Sequence, residues 1–109
     1  MDKLEKLIKM QRNLTTVLAS TRYPTKTEER ISFLCTAITH EAVELQRLTN
    51  WKWWKNPTVF NYEEAKEELI DILHFVLQAT IELNMTADDI VKYYSKKNKI
   101  NKKRKKMDY

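Results

Sequence analysis

A chain of 109 residues, 42% hydrophobic and 32% charged, has enough apolar material for one folded domain with a modest core. It contains no glycine and only two prolines, which excludes hairpin turns, glycine-rich phosphate loops and strand-helix-strand dinucleotide sites. The net charge of +5 is unevenly spread: residues 92–109 carry nine Lys or Arg against one Asp, on an otherwise acidic body, so an anionic partner is expected, either nucleic acid or a polyphosphate.

Apolar spacing and caps predict four helices and no strand. The first covers about residues 2–20, with Leu4, Leu7, Ile8, Leu14 and Leu18 on one stripe that also holds Gln11 and Thr15. The second covers about residues 26–49, opened by a capping-box pattern at Thr25 and Glu28 and carrying Ile31, Leu34, Cys35, Ile38, Ala42, Leu45 and Leu48. Cys35 therefore reads as a core side chain, and a lone cysteine forms no internal disulfide. An aromatic connection follows, with Trp51, Trp53, Trp54 and Phe60.

Asn61 and Glu64 offer the next capping box, for a helix running to about Asn84 that is apolar on nearly all sides between Leu69 and Leu83. Such a helix is expected to be central or shared with another subunit, which predicts a homodimer or higher oligomer. Thr86 and Asp89 cap the fourth helix, which becomes basic from residue 92. The expected architecture is all-α, a four-helix bundle-like single domain over residues 1–109. The N-terminus lacks a signal-peptide core and no run approaches the ~18 apolar residues of a membrane span, so a cytoplasmic protein with no membrane role is expected.

Chemistry concentrates in two repeats of one spacing. Glu41 and Glu44 lie i, i+3 on the second helix, and Glu68 and Asp71 repeat this on the third. Four carboxylates gathered in a partly dry groove repel one another unless a cation compensates them. Oxygen ligands favour Mg²⁺, with Mn²⁺ as a substitute, and Mg²⁺ is usually completed by water and substrate phosphates. Ordinary surface carboxylates are the plain alternative. Asp71, inside Leu69-Ile70-Asp71-Ile72-Leu73, favours the metal reading, because unpaired burial there would be costly. His40 and His74 read as packing or supporting residues beside these carboxylates.

On the last helix Tyr94, Lys97, Asn101 and Arg104 form one stripe suited to phosphates, although a solvated lysine-rich end would look the same. Trp51-Lys52-Trp53-Trp54-Lys55 combines flat apolar faces with cations. It suits stacking on a base, with Trp53 and Lys55 as candidate substrate contacts, and equally a hydrophobic plug or a dimer contact.

These residues resemble the all-α nucleoside triphosphate pyrophosphatases, the group of the dimeric dUTPases and MazG-like enzymes. The resemblance rests on ExxE at Glu41/Glu44, ExxD at Glu68/Asp71, the Trp51–Lys55 run, Glu67 to Phe75, and the KNxxNxxR ending at Lys97, Asn98, Asn101 and Arg104. It is closest to the dUTPase-like branch of Firmicutes and their phages. It implies that Glu41, Glu44, Glu68 and Asp71 hold Mg²⁺ and form the catalytic centre. It also implies that Lys97, Asn98, Asn101 and Arg104 grip the phosphates, and that Gln11 reads the uracil edge. Thr15 stands where that family often has asparagine. The expected activity is hydrolysis of dUTP to dUMP and diphosphate. Two alternatives are a MazG-like pyrophosphatase for dCTP or a noncanonical nucleotide, and a noncatalytic nucleic-acid-binding protein, which would leave the four carboxylates without a role.

Overall fold

A computed structural model describes residues 1–18 and 20–107; Ala19, Asp108 and Tyr109, which fall in the expected first helix and basic tail, lie outside the described residues. Four helices follow in order: α1 Lys3–Val17, α2 Thr27–Gln46, α3 Tyr62–Glu82 and α4 Ala87–Lys106. The expected all-α architecture is what is found, with each helix slightly shorter than its apolar pattern, since end residues close turns instead of continuing the ladder.

The caps explain most boundaries. Asp2 accepts from the Glu5 amide at 2.8 Å to start α1. Asn61 accepts from the Glu64 amide at 3.1 Å to start α3, which is one half of the expected box; among the described residues Glu64 makes no return bond. Thr86 and Asp89 form the expected reciprocal capping box of α4. The expected box at Thr25 and Glu28 does not form: the N-cap of α2 is Lys26, which makes no side-chain cap bond. Here Arg30 Nε donates to the Pro24 carbonyl and fixes the entry to α2. α3 ends through Asn84, whose φ of 57° is left-handed, a role asparagine fills when glycine is absent.

The main packing is α2 on α3. Arg30 meets Glu82 at one end and Glu41 meets Glu68 towards the other, so these helices run antiparallel. α1 lies against α3, and the start of α4 closes on α1 through Ile8, Leu77 and Ala87, flanked by Leu4, Ile81 and Ile90. That core is small. The radius of gyration is 17.2 Å, against about 13 Å for a compact globule of this length. Leu7, Met10, Ile70 and Leu73 remain exposed along a groove of about 580 Å³ between α1 and α3. No helix among the described residues is long and apolar enough to cross a membrane.

Cys35 is exposed, not a core residue, because α2 is covered by α3 on one side only. Asp71 is exposed as well, beside Leu69 and Ile70, each more than half exposed. Its place in an apolar run therefore does not imply burial.

Candidate active site

The antiparallel contact of α2 and α3 sets the register of the carboxylates. Glu41, Glu44 and Glu68 each present an oxygen within 4.8 Å of the others. Glu41 and Glu68 are half-buried, and each has one oxygen, Oε2, shut away from solvent with no hydrogen-bond partner. A buried carboxylate oxygen without a donor is costly, so two facing one another need an explanation. Partial burial, followed by the negative charges of Glu44 and Asp71, pushes both the Glu41 and Glu68 carboxyls above the ordinary range.

This set fits a hard divalent cation. Opposite oxygen ligands of Mg²⁺ stand about 4.2 Å apart, twice the ~2.1 Å bond length, and the oxygens of the triplet all lie within 4.8 Å of one another. Asp71 acts on Glu41 and Glu68 through its charge but stands outside the close triplet. Of the four expected ligands, three are thus drawn together and the fourth flanks them.

Gln11 is buried, in the wall of the α1–α3 groove. Its Nε2 donates to Oε1 of Gln78 at 3.0 Å and its Oε1 faces His74 Nδ1 at 2.9 Å. The Thr15 hydroxyl also reaches Gln78 Oε1. Gln78 donates onward to Glu82 at 2.9 Å, and Glu82 pairs with Arg30 at 2.9 Å. Sequence reasoning missed Gln78, Glu82 and Arg30. A signal existed, since His74, Gln78 and Glu82 recur every four residues through an otherwise apolar helix.

The aromatic run forms an exposed cluster. Trp54 meets Trp53 and Trp51 edge to face, at 4.6 and 5.8 Å between ring centres. Trp53 is 85% exposed, so within this chain the run is not a hydrophobic plug. Asn50 braces the connection by bonding both the amide and the carbonyl of Thr58. Beneath it Arg47, Trp51, Lys52 and Lys55 line a groove of about 550 Å³.

Lys97, Asn98, Asn101 and Arg104 are exposed on α4. α4 begins at the end of α3 remote from Glu68 and packs on α1, not along the α2–α3 pair. Among the described residues no hydrogen bond or ion pair joins Lys97, Asn98 or Asn101 to the carboxylates of their own chain.

A family model described as dUTPase matches residues 3–87, which takes in α1, α2, α3 and every candidate metal ligand. The chain belongs to the dUTPase family. Membership of the dUTPase family marks it as a hydrolase acting on nucleotides. The match ends at the start of α4, so the basic stripe lies outside it. No curated protein and no solved structure is significantly similar to the chain.

Proposed function

We propose that this member of the dUTPase family is a Mg²⁺-dependent nucleoside triphosphate pyrophosphatase with dUTP as its substrate, releasing dUMP and diphosphate. The observation that carries the reading is the Glu41, Glu44 and Glu68 triplet with its two orphaned, buried oxygens. Glu41, Glu44, Glu68 and Asp71 hold the cation, which when bound neutralises phosphate charge. The bond between the α-phosphorus and the bridging oxygen breaks; water gives its hydroxyl to the α-phosphate and its proton ends on diphosphate or solvent. In this reading Glu41 accepts that proton before passing it on.

Lys97, Asn98, Asn101 and Arg104 bind the phosphates, and Trp53 and Lys55 contact the nucleotide. Because α4 leaves its own α2–α3 pair, this grip is supplied across a homodimer. The dimer also covers apolar residues of α3 that are exposed outside the α1–α3 groove, such as Leu69 and Val76. A MazG-like activity on dCTP or a noncanonical nucleotide uses the same metal site, and Thr15, standing where that family often has asparagine, is the residue that favours it.

The test is a panel of nucleoside triphosphates assayed with and without Mg²⁺. Mg²⁺-dependent release of dUMP and diphosphate from dUTP supports the reading. No turnover of any triphosphate by folded protein with Mg²⁺ overturns it.

A further inference from the structure

The hydrogen bonds from α2 through α3 to α1 form one chain whose direction is fixed at its start. Arg30 can only donate, and its Nη1 lies 2.9 Å from Glu82 Oε2. The Glu82 carboxylate, with its side chain 8% exposed, can only accept, so Gln78 must turn its Nε2 towards Glu82 Oε1, at 2.9 Å. Gln78 Oε1 is then left facing α1, where it accepts from Gln11 Nε2 at 3.0 Å, beside a Thr15 hydroxyl whose single proton is shared between it and the Gln11 carbonyl. That in turn commits Gln11 Oε1 to His74 Nδ1, at 2.9 Å. An oxygen there requires a proton on Nδ1. A neutral His74 so held has a lone pair on Nε2, which has no partner among the described residues.

We propose that the Arg30–Glu82 ion pair, acting through Gln78 and Gln11, holds His74 as its Nδ1–H tautomer, so that the α1–α3 groove offers its ligand an imidazole acceptor. Arg30, Glu82 and Gln78 are positioning residues; His74 is the group that meets the ligand, on a side chain lining the groove. The complementary ligand carries an N–H donor. This step rests on the nucleotide reading above: a uracil ring bears N–H at position 3, whereas cytosine has a bare nitrogen there, so the relay favours uracil.

The isosteric variant Glu82→Gln gives an opposite prediction for every member of the chain. Arg30 still donates, so the new amide places its oxygen on Arg30 and its NH₂ on Gln78. Gln78 then reverses, Gln11 reverses, and His74 Nδ1 must accept. The tautomer switches to Nε2–H. This is read in ligand-free, ¹⁵N-histidine-labelled full chain at about pH 8, above the ordinary imidazole range, with His40→Gln used to assign the two signals.

The expected result is Nδ1–H in the parent protein and Nε2–H in Glu82→Gln. Nε2–H in the parent, or an unchanged tautomer in folded Glu82→Gln, overturns the proposal. Should Glu82→Gln fail to fold, Gln78→Met interrupts the relay and is expected to leave His74 a mixture of tautomers; a retained pure Nδ1–H form overturns the proposal equally. The kinetic arm compares kcat/KM for dUTP and dCTP, whose ratio falls by about tenfold or more in Glu82→Gln. An unchanged ratio overturns the assignment of His74 to the base. Absence of dUTP turnover in the parent alongside a switching tautomer sinks the functional reading and leaves the relay standing.

Discussion

Gln11 on α1 and Gln78 on α3 are both buried, and the 3.0 Å bond between their side-chain amides joins two helices whose shared apolar core is otherwise small. A buried amide pair of this kind is sensitive to loss of one member. We predict that Gln11→Leu lowers stability by about 1–3 kcal/mol, because it leaves Gln78 Oε1 with the Thr15 hydroxyl alone and removes the side-chain partner of His74 Nδ1. Urea unfolding checks this, and a change below ~0.5 kcal/mol would show that water replaces Gln11 in the groove.

The carboxylate triplet predicts a pH-dependent response to metal. An acid whose pKa is raised on folding holds its proton more tightly when folded, so its favourable contribution is present at low pH and is lost as pH rises through the raised value. Glu41 and Glu68 are both of this kind, raised first by burial and then by Glu44 and Asp71. Metal-free protein therefore carries an electrostatic penalty at neutral pH that a cation removes. Millimolar Mg²⁺ is expected to raise Tm at about pH 7 and to have little effect near pH 4, where these carboxyls are protonated. Scanning calorimetry with and without Mg²⁺ at both values is the check; equal increments would disprove the metal assignment.

The same geometry ranks the ligands. Glu44 belongs to the close triplet and Asp71 flanks it. We expect Glu44→Gln to reduce Mg²⁺-dependent turnover by roughly a hundredfold and Asp71→Asn by roughly tenfold, with Mg²⁺ titration showing the larger loss of affinity in the former. The reverse order would make Asp71 the stronger ligand and Glu44 the weaker one.

Much of this was legible from residue order. Repeated i, i+3 carboxylates on two adjacent helices read as a metal site because helical geometry puts such pairs on one face, and the caps at Asn61 and Thr86 read correctly because their partners lie three residues away. Burial was harder to read. Asp71 and Cys35 sit in apolar stretches yet are exposed, since a period of 3.6 says which residues share a face but not whether another helix covers it. The Arg30–Glu82 pair and its link to Gln11 join residues 52 and 67 positions apart, a relation that only the antiparallel register of α2 and α3 and the docking of α1 create.

The departure of α4 from the α2–α3 pair gives the last prediction. If the basic stripe serves the carboxylates of a second copy, two classes of dead subunit should rescue one another. A chain carrying Glu44→Gln retains an intact α4, and one carrying Lys97→Ala with Asn101→Ala retains an intact triplet. Each alone should retain no more than about a hundredth of the parent activity. Mixed, unfolded together and refolded, half of the dimers pair one of each, and in these one of the two sites combines an intact triplet with an intact stripe. Activity should recover to about a quarter of that of the parent protein. Light scattering establishes the dimer in the same samples. No recovery, with mixed dimers demonstrated by a mass tag on one subunit, would mean that α4 acts within its own chain or not at all, and the basic stripe would then belong to another partner.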